Sequence, residues 1–504
     1  MKYILAVDLG TTAIKVILFG IDGQIIADST QEYQLLTPDE LSVELEVETY
    51  WQAFKQGVTE ILKKSKVNPD KVDSIGISAQ GETLILVDEK GVPLDNAIVW
   101  LDNRAQEEAK ELTDIFGNEE TYKITGQVKI VPTWPAAKLL WYKKNKPNIF
   151  NKVAKFLLIE DYFIYRLAGR YLCEGSLICS TLYWDITKKI WWKEMLDYLG
   201  IKESQLPKIC ESGEVAGALL PNIAKELGLS SKTIVATGAL DQACGAIGVG
   251  NIIPGVVSET TGAGFDIHAT IDKPTFDEKM RMPCHYHGMP DTYMLHTFTT
   301  GGIVLKWFRE NFCASEIDLA TLLHEDSYSL LDKEADNVPP GCNGLVMLPH
   351  LQGAMAPEAN PKAKGVFYGF TLHHGKPYFI RSIMEAIAFM LQRNIDVLKD
   401  MGLDIKEIRS LGGGSKSSLW TQIKADVTQV PVCIMKNGEA GCLGAAILAG
   451  KATGTYSNIE EAVKTMVRVK DRIKPQKENA DIYKKSYSRY VSLYVSLLNM
   501  FEKE

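Results

Sequence analysis

At 504 residues, and at roughly 150 residues per domain, the chain has room for about two to four domains. Hydrophobic residues at 46% and charged residues at 23% describe an ordinary globular protein and exclude the disordered and fibrous classes. A formal net charge of −8 without a basic run argues against nucleic acid and against a membrane surface as partners, and a small molecule fits better.

The start MKYILAVDLG is apolar, but Asp8 interrupts it, no small-residue cleavage site follows, and no apolar run of about 18 residues occurs. A cytoplasmic protein is expected. Nine cysteines without a C-x-x-C pair favour free thiols in a reducing compartment. Cys284-His285-Tyr286-His287 has poor ligand spacing and is read as structural rather than metal-binding.

The opening residues predict a three-stranded meander at 3–7, 14–19 and 24–29, with Asp22-Gly23 in the second tight turn. A helix at 48–64 and strands at 74–78 and 84–87 follow. Further short apolar strands at 153–158, 234–237, 344–348, 408–411 and 432–435 alternate with helices, among them 241–249, 378–401 and 418–428, so the class is α/β. Around 256–268 the opening pattern returns: an apolar strand reaches a Thr/Gly turn and doubles back. With Pro254-Gly255 beside it, this predicts two similarly built domains, 1–250 and 251–504.

Four turns carry candidate chemistry. In Asp8-Leu9-Gly10-Thr11-Thr12, glycine and small hydroxyls let backbone amides approach a polyanion, and Asp8 suits a hydrated cation. Residues 260–264 repeat that character with Thr261 and Gly262, and Gly412-Gly413-Gly414 opens bare backbone before a helix. In Thr237-Gly238-Ala239-Leu240-Asp241-Gln242 a carboxylate opens a small-residue helix, a suitable place for a general base. Taken singly, each also reads as a polar hairpin, a flexible connection or a helix cap. No Walker A loop is present, and no G-x-G-x-x-G opens a βαβ unit near the N-terminus. Gln80, Glu82, Trp100, Asp102 and Arg104 form a polar and aromatic set suited to the hydroxyls and ring face of a sugar, with capping by Asp102 and solvation of Arg104 as the competing reading.

With these pieces in order, the chain resembles the FGGY carbohydrate kinases, most of all the xylulokinase-like group. The resemblance runs from Asp8-Leu9-Gly10-Thr11-Thr12 to Gly441-Cys442-Leu443-Gly444-Ala445-Ala446, through Pro135-Ala136-Ala137-Lys138-Leu139-Leu140-Trp141 and Ser382-Ile383-Met384-Glu385-Ala386. It implies the two-domain fold of actin, hexokinase and the Hsp70 ATPase, built from ribonuclease H-like domains, with ATP and Mg2+ in an interdomain cleft. It further implies Asp8 on the metal side, through water, with Gly10, Thr11 and Thr12 in the first phosphate turn. Thr261 and Gly262 fall in the second phosphate turn, Gly412, Gly413 and Gly414 in the adenosine motif, Asp241 at the catalytic base and Gln242 beside it.

For the acceptor, the signals divide. Gly81 stands where glycerol kinases carry a glycerol-binding arginine, and the Met-His pair of xylulokinases and gluconate kinases is absent. The C-terminal half, including Thr300-Gly301-Gly302-Ile303, is most similar to the xylulokinase-like group and points to a ketopentose such as xylulose; glycerol, erythritol, gluconate and ribulose are the alternatives. An actin- or Hsp70-like ATPase acting on a protein partner is the rival from another class, and a non-catalytic sugar-sensing homologue is a second. A homodimer is the assembly to test.

Overall fold

The computed structural model of the chain describes residues 2–503. Its first strand, Tyr3–Leu9, buries Ile4, Leu5, Ala6 and Val7 completely, as a near-continuous apolar run demands of a strand covered on both faces. It pairs antiparallel with Ala13–Gly20, placing Asp8 opposite Lys15, and parallel with Val72–Ala79, placing Asp8 opposite Ser78. Ala13–Gly20 pairs in turn with Ile25–Glu32, completing the expected meander. Its second turn closes through the Gly23 N–H to the Gly20 carbonyl at 3.0 Å, and Gly23 takes φ 84°, a backbone that glycine adopts without strain. On the far side, Val72–Ala79 carries Ile234–Ala236 and Ala239–Leu240 as parallel neighbours. The helix expected at 48–64 runs Val47–Ser65 and buries Tyr50, Trp51, Phe54, Val58 and Ile61, a three-to-four spacing that keeps one face apolar.

The chain forms two compact units that no single cut in the sequence separates. One comprises 1–252, 271–294 and 439–468, the other 253–270, 295–438 and 469–504. The late segment joins the first unit because helix Ala440–Ala452 is built from small residues. A Cβ on Gly76 would lie 2.1 Å from the Ala445 carbonyl oxygen, and one on Gly248 would lie 1.9 Å from that of Ala440. Backbones at that distance exclude any side chain, so the helix packs directly on the strand and on helix Asp241–Gly248.

The second unit repeats the scheme. Val256–Thr261 pairs antiparallel with Gly264–Ile271 and parallel with Glu407–Leu411, which continues parallel to Val432–Met435 and then to the antiparallel Val469–Ile473. Helix Lys376–Asp400 starts two residues earlier than expected because Pro377 sits in its first turn, where its missing N–H costs nothing. Helix Ser418–Thr428 follows the glycines.

Among the described residues no helix is long and apolar enough to cross a membrane. The histidines of 284–287 are core groups. His285 faces Cys179 Sγ and Gln127 at 3.4 Å, while His287 accepts the Met289 N–H and meets the Asn251 carbonyl at 3.1 Å. Burial pushes the His287 imidazole down to about 4, so it stays neutral.

Candidate functional site

In the first unit, strand register assembles one edge. Leu9 is level with Ala79, and Leu240 is level with Ala79 on the other side, all three strands running parallel. Gly10, Gln80 and Asp241 are therefore the residues next after three neighbouring strand ends, the edge where parallel α/β sheets bind ligands. Gly81 is so close to Leu240 that a Cβ there would meet its side chain at 3.1 Å.

The first turn is tied to the expected sugar cluster. Gln80 Nε2 donates to the Gly10 carbonyl at 3.2 Å and to Tyr50 Oη at 3.2 Å, while its buried Oε1 has no partner among the described residues. Trp100 Nε1 donates to Thr11 Oγ1 at 2.8 Å, and the residue is about one-third exposed, at 37%. Thr12 is exposed, and its carbonyl accepts the Tyr33 N–H at 3.0 Å. Asp8 Oδ1 accepts the Ser78 hydroxyl at 2.7 Å. Burial pushes the Asp8 carboxyl up, the Ser78 hydrogen bond and Lys15 pull it down, and Glu439 pushes it up again. Lys15 spends its ammonium on Glu439 at 2.6 Å, so the Asp8 carboxylate keeps a hard oxygen without a direct ion pair among the described residues, which fits a hydrated magnesium. No group of three or more His, Cys, Asp or Glu among the described residues could itself hold a metal ion, so phosphate and water oxygens would have to complete the shell.

Asp102 and Arg104 are placed differently from the expectation of a sugar contact. Asp102 is fully buried; its Oδ2 accepts the Val43 N–H at 2.6 Å, and both oxygens accept Arg104 Nε, at 3.0 and 2.9 Å. Arg104 reaches on to Glu44 at 2.7 Å and lies over the Trp141 ring at 4.9 Å. The pair clamps the Trp100 loop to residues 43–44. Nor does Asp102 cap the following helix, whose N-cap is Ala105. Glu82 has φ 54°, and its carbonyl accepts Lys138 Nζ at 3.3 Å; the same ammonium bonds the Val99 carbonyl at 2.9 Å. Burial pushes Lys138 down to about 7, against Glu82 and Asp102, which hold it up.

Asp241 is half-buried at the first turn of its helix, with Oδ1 accepting the Gln242 N–H at 2.7 Å and Gln242 half-buried beside it. Behind them lies a layer that no motif announced. Glu160 Oε1 accepts the Gly238 N–H at 2.8 Å; Ser176 Oγ accepts the Leu240 N–H at 2.9 Å and donates to Glu174 at 2.8 Å. Burial raises the Glu160 carboxyl well above its ordinary value, and Glu174 and Asp161 add to the rise. Burial pushes Glu174 up to about 7 against donors from Ser212, Ser176 and Leu177. The strand end that presents Asp241 is thus held by two buried acids.

In the second unit, a cavity of about 410 Å³ is lined by Thr261, Gly262, Gly413, Gly414, Tyr328 and Trp420, among others. Gly412, one residue before the glycines that line it, has φ 76° and ψ −170°, which only glycine takes readily, and a Cβ there would lie 2.6 Å from the Thr261 carbonyl oxygen. Residues Gly413–Lys416 make a 3₁₀ turn before helix Ser418–Thr428, whose N-cap Ser417 also lines the cavity. Tyr328, with the Arg309 guanidinium 4.4 Å from its ring centroid, supplies an aromatic wall, and Asp332 an acid that burial pushes up. An aromatic wall and open glycine backbone suit a flat base and an attached phosphate chain. Sequence reasoning found the threonine and glycines here but not Tyr328, Asp332 or Trp420, which belong to no turn signature.

Two family models match the chain: the N-terminal domain of the FGGY family of carbohydrate kinases over residues 3–248 and its C-terminal domain over 266–453. A xylulose kinase of Bacillus subtilis strain 168 is 31% identical over 98% of this chain and 97% of its own. A gluconokinase of the same organism is 32% identical over 100% of this chain and 97% of its own. Among solved structures, a ligand-bound xylulose kinase from Lactobacillus acidophilus matches with a TM-score of 0.90 at 28% identity, each chain covered in full.

Proposed function

Since the chain belongs to the FGGY family of carbohydrate kinases, and is a sugar phosphotransferase that uses ATP, we propose that its acceptor is a ketopentose, xylulose foremost. The reading of the site rests on one observation: Gly10, Gln80 and Asp241 follow three level, parallel strand ends.

In this reading Gln80, Glu82 and Trp100 bind the sugar, with Trp100 offering its ring and Gln80 its unpartnered Oε1 to a hydroxyl. Asp102 and Arg104 contribute by holding the Trp100 loop. Asp241 accepts the proton of the attacking hydroxyl as that oxygen adds to the γ-phosphorus of ATP and the bond to the β-phosphate oxygen breaks, while Gln242 steadies the same hydroxyl. The amides of the first turn, with Thr11 and Thr12, and those at Thr261 and Gly262 offset charge on the phosphates; Gly412, Gly413 and Gly414 give adenosine its bare backbone. Magnesium, held by Asp8 through water, would neutralise phosphate charge there.

Gluconate is the second reading, because a gluconokinase is as similar to this chain as a xylulose kinase. A coupled ADP-release assay over xylulose, ribulose, gluconate, glycerol and erythritol decides between them. ATP turnover should rise strongly with the true acceptor and, for Asp241→Ala, fall by about 10²–10⁴-fold while ATP binding persists. Acceptor-independent ATP turnover would favour an ATPase acting on a protein partner, and near-normal turnover of the Asp241 variant would sink the assignment of the base.

A further inference from the structure

Below the cavity of the second unit lies an ion pair that takes no part in the reading above. Lys424 Nζ and Glu259 Oε1 are 2.6 Å apart, and both side chains are 0% exposed. Lys424 Nζ also donates to Thr261 Oγ1 at 2.7 Å, and Thr261 Oγ1 donates to Glu259 Oε2 at 2.7 Å. The Ser410 hydroxyl donates to Glu259 Oε1.

From this geometry we infer that Glu259 and Lys424 are positioning residues for the nucleotide, a buried ion pair that holds Thr261 and joins the two turns on which ATP would rest. The inference builds on the proposed nucleotide site. Glu259 is level with Ser410, and Thr260 with Leu411, so the pair straddles the two strands that lead into 261–264 and 412–414. Lys424 comes from helix Ser418–Thr428, whose Trp420 lines the cavity, and its ammonium lies 5.5 Å from that ring and 5.6 Å from Phe265. Strand, strand and helix therefore meet at one pair of charges.

The hydroxyl of Thr261 is fixed in both directions, as acceptor from Lys424 and donor to Glu259, which leaves its rotor no freedom. The turns above have no slack either: a Cβ on Gly414 would lie 2.7 Å from Thr261 Cβ, and one on Gly412 2.6 Å from the Thr261 carbonyl oxygen. Any shift of Thr261 is passed directly to the glycine turn. Stability alone gives little reason for the arrangement, because a buried ion pair is commonly replaced by apolar side chains of similar volume without loss. Orientation of a contact residue is what such a replacement would forfeit.

The test compares two double variants of the full chain that carry the same charge, Glu259→Leu/Lys424→Met and Glu259→Gln/Lys424→Met. Only the second keeps an oxygen to accept the Thr261 and Ser410 hydroxyls. ATP binding without acceptor is measured by calorimetry, and KM for ATP and for the acceptor by kinetics. The Leu/Met variant should bind ATP about tenfold more weakly, with the acceptor KM within about twofold of wild type, and the Gln/Met variant should recover most of the loss. If the Leu/Met variant does not fold, Thr261→Val, which removes only the hydroxyl, should show the same weakening. ATP affinity within about twofold of wild type in the folded Leu/Met variant, or in Thr261→Val, overturns the inference while leaving the nucleotide site intact. Failure of the wild-type chain to bind ATP overturns the nucleotide reading, and the inference with it.

Discussion

Replacing Gly444 by alanine tests how tightly the helix that presents Asp241 is held. Gly444 lies in helix Ala440–Ala452, and a Cβ there would stand 1.9 Å from the Cys244 carbonyl oxygen in helix Asp241–Gly248. Carbon and oxygen need about 3 Å or more, so the two helices must part by about 1 Å. Neither partner can yield by rotating a side chain, since the obstacle is backbone. Helix propensity favours alanine by about 1 kcal/mol, but overpacking of this kind costs about 1–3 kcal/mol, so the net loss of stability should be about 0–2 kcal/mol. The larger effect is on geometry: Cys244 is one turn from Asp241, the proposed base, and a displacement of about 1 Å at a reacting group costs about 10²-fold in rate. The expected variant is folded, with kcat lowered about 10²-fold and KM for ATP nearly unchanged, read from steady-state ADP release and thermal unfolding. Wild-type kcat would refute the claim that this glycine contact sets the position of Asp241.

Glu160→Gln should flatten the fall in stability as pH rises from about 5 to about 8. The Glu160 carboxyl is raised in the folded chain, so it takes up a proton on folding; its contribution is complete below about pH 4.5 and falls as pH rises, by up to about 1.4 kcal/mol per unit. The variant should therefore gain on wild type between pH 5 and 8 in urea unfolding, and a difference independent of pH would contradict a neutral buried acid. Asp102→Asn leaves the buried Arg104 short of a charge and should cost about 2–4 kcal/mol in the same assay; an acceptor KM raised at unchanged stability would instead make Asp102 a sugar ligand. Trp100→Phe keeps a ring but drops the bond to Thr11, and should lower kcat/KM for the acceptor about fivefold, or about 1 kcal/mol. Asp8→Asn should raise the magnesium concentration for half-maximal turnover about tenfold or more, checked by titrating the metal at fixed ATP.

The opening meander was legible because its signals are local. Unbroken apolar residues at 4–7 mark a central strand, and Asp22-Gly23 and Gly10-Thr11-Thr12 mark its turns. The position of Asp241, between a strand end and a small-residue helix, was legible for the same reason. Asp102 shows where such reading ends. Its residue type suits a sugar, yet Val43 and Arg104 occupy it, and Arg104 reaches Glu44, 60 positions away in the chain. A carboxylate's role depends on which donors the fold brings to it: Arg104 stands two residues on, but the Val43 amide that completes the site comes from 59 positions away.

By itself the sequence determined the α/β class, the two hairpin turns with their Thr and Gly residues, the glycine turn at 412–414 and the acid at 241, because steric and period-two rules act over a few residues. Only the tertiary structure decided that the segment 439–468 packs with the first unit, that Glu160 and Glu174 stand behind Asp241, and that Lys424 finds Glu259 across 165 residues of chain. Those choices turn on backbones that approach within contact distance and on charges that must find a partner once buried, and both are properties of the packed chain.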